Sequence, residues 1–236
     1  MRNNINLVEA DLKRCADKET ASNLSWFFKT GKGEYGENDR FLGIKVPILK
    51  KLAKKYNGLS LPEITILLKS SWHEERFLAL QILRIKFEKA DEKGKALIGK
   101  MYLKNTKYIN NWDLVDSSAL YILGPLFYKK PKTILYKLVH SSDLWERRIA
   151  VLTTFYFIRV GEFEDSIKMC KILLNDKHDL IHKAIGWMLR EIGKRDIGVL
   201  RNFLDRYSSK MPRVSLRYAI ERLSPLERRR YLFRAA

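Results

Sequence analysis

The chain has 236 residues, 46% of them hydrophobic and 31% charged, with only 12 Gly and 6 Pro. That is enough apolar material for a sizeable core, and too little Gly and Pro for a loop-rich β protein. Lys and Arg number 46 against 27 Asp and Glu, a net charge of +19, and the self-repulsion points to an anionic partner: nucleic acid, an anionic membrane or an acidic protein.

Along the chain, apolar residues recur with a helical rather than a strand period. Pro47 to Tyr56 is amphipathic and opens on a helix-starting proline. Phe77, Leu80, Ile82, Leu83, Ile85 and Phe87 predict a mostly apolar helix ending at Glu88-Lys89. Leu114, Val115, Ala119, Leu120, Ile122 and Leu123 predict another, closed by Gly124-Pro125. Pro131 to Val139 repeats the proline-led amphipathic pattern. Ile149, Val151, Leu152, Phe155, Tyr156 and Ile158 predict a third apolar helix, capped by Gly161. The expectation is an all-α chain forming a single domain over 1–236, with no linker to divide it.

Each apolar helix carries a small residue: Ala79, Ala119, Ala150, Gly186 and Ala219. Their spacing of roughly 30 to 45 residues is the span of a two-helix HEAT-like repeat, so an α-solenoid superhelix with a basic concave face is expected. Three positions before each small residue stand Arg76, Asp116, Arg147, Lys183 and Leu216. If that row faces a groove, a single carboxylate sits among cations. Paired with a neighbouring cation, Asp116 would instead be purely structural.

Tryptophans accompany these charges. Trp112 precedes Asp116 by one helical turn, and Trp145 and Trp187 each stand three residues before an arginine, Arg148 and Arg190. Core packing is the ordinary role of a helical Trp, but aromatic faces beside cations also suit nucleic acid. Lys45, Lys50, Lys51, Lys54 and Lys55, then Lys129, Lys130 and Lys132, then Arg228 to Arg230, form basic runs suited to phosphate.

Other chemistries fall away. There is no nucleotide-binding glycine loop and no Gly-x-Ser-x-Gly elbow. His73, His140, His178 and His182 form no metal pattern, and Cys15 and Cys170 lack a neighbouring Cys or His, so no cofactor or metal is expected. Neither an apolar leader nor a membrane-spanning run is apparent, which predicts a cytoplasmic protein with no membrane partner.

Four stretches, in order, resemble the HEAT-like DNA alkylation repair glycosylases typified by AlkD. They are Phe41-Leu-Gly-Ile-Lys-Val-Pro47, Trp112-Asp-Leu-Val-Asp116, Leu144-Trp-Glu-Arg-Arg148 and Lys183-Ala-Ile-Gly-Trp-Met-Leu-Arg190. The resemblance implies a monomer that binds double-stranded DNA and removes alkylated purines. It implies Asp116, not Asp113, as the catalytic carboxylate, Trp112 and Trp187 beside the lesion's deoxyribose, and Arg148 on the DNA. Lys183, Arg147 and Arg190 join them as expected DNA contacts. Phe27, also an expected DNA or lesion contact, stands near where some members have Tyr, and the Gly31 to Asn38 segment is longer than in some relatives. Two alternatives to a glycosylase remain: a non-catalytic DNA-binding relative, and a HEAT-type scaffold for RNA or an acidic protein.

Overall fold

The computed structural model describes residues 2–234, and among them the architecture is helical, with one isolated β-bridge between Arg40 and Trp72. The chain divides into two compact units, one ending at Ser118 and the other beginning at Ala119. Among the described residues no helix is long and apolar enough to cross a membrane.

The first unit contains α1 (Arg2–Arg14), α2 (Lys18–Phe27), α3 (Val46–Lys55), α4 (Leu61–Leu68), α5 (His73–Lys89), α6 (Glu92–Lys104) and α7 (Trp112–Asp116). Helix α5 is its centre, with α3, α4, α6 and α7 packed against it. Residues Phe77 to Leu80, Ile82 and Leu83 of α5 are all buried, which explains an apolar pattern with no polar face. Helix α3 is the opposite case: Leu49, Leu52 and Ala53 turn inward while Lys50, Lys51 and Lys54 are exposed, and Pro47 lies in its first turn. Ser60 and Glu63 form a reciprocal capping box at the start of α4.

The approach to α5 is held by one carboxylate. Glu74 accepts the backbone N–H groups of Leu42 at 2.9 Å, Gly43 at 2.8 Å and Ile44 at 3.2 Å. Gly43 has φ +82, and a Cβ there would lie 2.0 Å from the Asp17 carbonyl oxygen. Only glycine fits, which is the physical content of the Phe41-Leu-Gly stretch.

The second unit contains α8 (Ala119–Phe127), α9 (Thr133–Val139), α10 (Leu144–Arg159), α11 (Glu164–Ile172), α12 (Asp179–Gly193), α13 (Ile197–Tyr207), α14 (Arg213–Ala219) and α15 (Pro225–Arg234). Helices α8, α10, α12 and α14 pack in succession, with α9 and α11 against α10 and α13 against α12. This is the alternation of a two-helix repeat. Its register is visible at two glycines. A Cβ on Gly124 would meet Tyr156 Cβ at 2.3 Å and the Thr153 carbonyl at 3.3 Å. One on Gly186 would meet Tyr218 Cβ at 2.4 Å and the Ser215 carbonyl at 2.5 Å. In both cases the contacted residues lie the same distance further along the chain. Close helix approach therefore uses Gly124 in α8, not Ala119. Gly161, at φ +87, ends α10: its N–H bonds Ile158 and the Glu162 N–H bonds Phe157.

Three sequence expectations need correction. The helix expected from Leu114 to Leu123 is two helices, broken at Ser117-Ser118. There the Ser118 N–H bonds the Val115 carbonyl at 3.1 Å in a tighter turn, and the Ser118 hydroxyl bonds the Leu114 carbonyl at 2.5 Å. Gly124-Pro125 does not close α8: Pro125 lies within it, and the helix continues to Phe127 at the loss of one internal hydrogen bond. Pro131 lies outside α9, whose N-cap is Lys132.

Candidate functional site

In the first unit the site is built on α7. Asn111 caps it, its side-chain oxygen accepting the Trp112 N–H at 2.8 Å. The five residues that follow place Trp112 and Asp116 one turn apart, both half-buried, with Leu114 and Val115 directed into the core. The Trp112 ring stacks on Phe28 at 5.2 Å and 19°, and Phe27 meets it edge-on at 6.0 Å. Phe27 is 54% exposed while Phe28 is buried, so the aromatic cluster runs from core to solvent. Asp116 also acts electrostatically on the buried Tyr102. Burial first, then the Asp116 charge, raise the Tyr102 hydroxyl above its ordinary range, while its hydrogen bond with Ser118 at 2.9 Å works against them.

Beneath this surface lies a charged cluster. His73, the first residue of α5, faces Asp39 with Nδ1 at 3.0 Å and Asp113 with Nε2 at 2.8 Å. Arg76 ion-pairs with Asp39, and the buried Asn111 amide donates to it at 3.1 Å. The imidazole stacks on Phe41 at 4.6 Å. Burial alone would lower the His73 pKa, but the charges of Asp113 and Asp39 and their hydrogen bonds raise it to about 9. Asp39, penalised by burial, is nonetheless held below the usual carboxylate range by His73, Arg76 and Asn111. Arg76 is thus a core cation rather than part of an exposed row, and Leu216 is fully buried in the second unit, so that row is not one continuous exposed face.

Five expected site residues lie in the second unit. Arg147 is committed within the fold. It holds Asp176 through Nε at 2.6 Å, and Nη1 donates to the carbonyls of Ser141 at 3.1 Å and Ser142 at 2.9 Å. Arg148 is 5% exposed, and its guanidinium donates to the Leu180 carbonyl in the first turn of α12. Arg190 ion-pairs with Glu221 and lies over the Tyr218 ring at 6.0 Å. Lys183 bridges to Asp179 at 2.7 Å with 41% of its side chain exposed. Trp187 is half-buried and meets Phe155 edge-on at 5.3 Å, while Trp145 is in the core. Among the described residues no group of three or more His, Cys, Asp or Glu is placed to hold a metal ion.

Comparison with known proteins then gives the context. Residues 8–223 match the family model described as DNA alkylation repair enzyme. Among solved structures, one from Enterococcus faecalis described as a "Predicted DNA alkylation repair enzyme" superposes with a TM-score of 0.68. It has 18% identity and covers 89% of this chain and 97% of that one. AlkD2 from Streptococcus mutans superposes with a TM-score of 0.51 at 16% identity, covering 92% of this chain and 96% of that one. Both share the helical fold. No curated protein matches the sequence.

Proposed function

Given that the chain belongs to the DNA alkylation repair enzyme family, with DNA as the partner that membership implies, we propose that it is a glycosylase. Its substrates in this proposal are purines alkylated at N3 or N7 in duplex DNA. The observation that carries the proposal is the pairing on α7 of a half-buried carboxylate, Asp116, with a half-buried indole, Trp112, beside exposed Phe27.

Those groups match the chemistry. A purine alkylated at N3 or N7 is already cationic, so it leaves as a neutral base and needs no general acid. As the glycosidic C–N bond breaks, its electron pair moves to the purine and the sugar becomes oxocarbenium-like. A carboxylate stabilises that cation and orients the water that adds to C1′, which then sheds a proton and leaves an abasic site. The Trp112 face adds attraction for the positive sugar. No step requires a metal. The exposed lysines of α3 and the half-exposed Lys183 are proposed phosphate contacts, and Trp187 a proposed aromatic contact, of their own units.

The test is release of free base from methylated duplex DNA by the wild-type protein, with binding to duplex, RNA and heparin measured alongside. The proposal expects 7-methylguanine or 3-methyladenine in solution and abasic sites in the duplex. Salt-sensitive duplex binding without release would replace it with a non-catalytic DNA binder, and equal binding to all polyanions with a scaffold.

A further inference from the structure

Resting on the roles proposed for Trp112 and Asp116, we infer that His73 is a positioning residue. As an imidazolium clamped between Asp39 and Asp113, it fixes the start of α7 and thereby aims the Trp112 ring and the Asp116 carboxylate.

Both ring nitrogens of His73 face carboxylate oxygens, at 3.0 and 2.8 Å. A neutral imidazole has one N–H, so one of the two contacts would set a lone pair against a carboxylate oxygen. The arrangement is satisfied only by the doubly protonated ring. With the proton in place the cluster balances, Asp39 and Asp113 against His73 and Arg76. Without it the cluster carries an uncompensated negative charge in a site where His73, Arg76 and Asp39 are each 4% exposed in their side chains. The neighbouring carboxyl group on α5, Glu74, accepts the backbone N–H groups of residues 42–44 and cannot offset a negative charge. The remaining walls are the Phe28 and Phe41 rings, 5.0 and 4.6 Å from the imidazole.

The geometry then says what the clamp holds. Trp112 stands between Asn111 and Asp113, and both neighbours are tied to this cluster. Asn111 donates to Asp39 at 3.1 Å while accepting the Trp112 N–H at 2.8 Å, and Asp113 takes His73. Phe28, on which Trp112 stacks, is itself packed against the His73 ring. The backbone flanking the indole is therefore tied to the cluster that His73 completes, through Asp39 on one side and Asp113 on the other, and the ring behind the indole packs on His73 itself. A five-residue helix has little stability of its own, so its orientation depends on such ties. An apolar filling would serve stability as well as a buried ion network does. What the network adds is a single defined position for α7.

The experiment uses the full-length protein carrying 5-fluorotryptophan, with the Trp112 ¹⁹F resonance identified by its loss in Trp112→Phe. Titrated without DNA, that resonance is expected to inflect near pH 9, where the His73 proton is lost. In Asp113→Asn, a neutral His73 accepts a hydrogen bond from the new amide and donates to Asp39, so the inflection is expected to move down by about one pH unit or more. In His73→Gln it is expected to vanish, and base excision to fall by roughly tenfold to a hundredfold with DNA affinity retained. A Trp112 resonance with no inflection, or one that Asp113→Asn leaves in place, overturns the inference. The ¹⁹F readout needs no substrate, which separates the two proposals. A coupled resonance in a protein that releases no base would refute the glycosylase and leave the clamp standing. Base release with an uncoupled resonance would refute the clamp alone.

Discussion

Replacing Gly186 with alanine tests the helix register of the second unit where α12 and α14 approach closely. Alanine in mid-helix normally stabilises by about 0.5–1 kcal/mol over glycine, because glycine gives up more backbone freedom. Here the added methyl would lie 2.4 Å from Tyr218 Cβ and 2.5 Å from the Ser215 carbonyl oxygen, where ordinary contacts are near 3.5–4 Å. Neither obstacle is the far end of a flexible side chain, so α14 must back away from α12 by roughly 1 Å. Overpacking of this kind costs about 1–3 kcal/mol, and a backbone obstacle places it at the upper end. The net is a destabilisation of about 1–2 kcal/mol, or a fall in Tm of roughly 2–8 °C for a chain of this size. Thermal melts followed by circular dichroism at 222 nm would measure it, and Gly124→Ala should also destabilise, since its methyl would lie 2.3 Å from Tyr156 Cβ and a side chain there disfavours the helical backbone before Pro125. A rise in Tm for Gly186→Ala would refute the close approach and with it the repeat register.

Further outcomes follow from the other parts of the molecule. The His73 pKa is raised in the folded state from 6.5 to about 9, so its contribution is complete below about pH 6.5 and is lost as pH rises toward 9. At ~1.4 kcal/mol per pKa unit this amounts to about 3 kcal/mol, and denaturant melts across that range should show the decline in wild type but not in His73→Gln. Glu74→Gln leaves one acceptor oxygen for three backbone N–H groups at a site 1% exposed. It should cost about 2–3 kcal/mol, and an unchanged urea midpoint would contradict that. Removing the charges of Lys50, Lys51 and Lys54 should weaken duplex binding uniformly across sequences. The log–log salt slope should flatten by about 0.9 for each phosphate that is no longer neutralised.

Legibility in the sequence followed how local each cause was. The apolar runs of α5 and α10 were legible because those helices are buried all round and their residues say so. Gly161 was legible as a cap because its left-handed backbone leaves few alternatives. The break after Asp116 was not, since an apolar pattern that spans both sides conceals the tighter turn at Ser117-Ser118. Small residues revealed that helices approach closely, but only the contacts at Tyr156 and Tyr218 showed that Gly124, not Ala119, is the partner of Gly186.

The site divides in the same way. Trp112 and Asp116 stand one turn apart in the sequence and remain so in α7. The role of His73 is hidden because its partners lie 34 and 40 residues away, and a lone histidine in a sequence suggests little beyond a metal ligand. The signal that could have found it is Asp113, a second carboxylate in the same short motif, for which the proposed chemistry has no use. The partners of Arg147 and Arg190 are hidden as well, because Asp176 and Glu221 lie 29 and 31 residues further on.

The most direct test of the central claim is single-turnover excision of 7-methylguanine from duplex DNA by wild type and by Asp116→Asn at saturating protein. Free base is expected from wild type. A loss of roughly tenfold or more is expected in the variant, ~1.4 kcal/mol of transition-state stabilisation, with duplex affinity unchanged. Equal rates for the two proteins would contradict the role of Asp116, and no base from either would contradict the glycosylase itself.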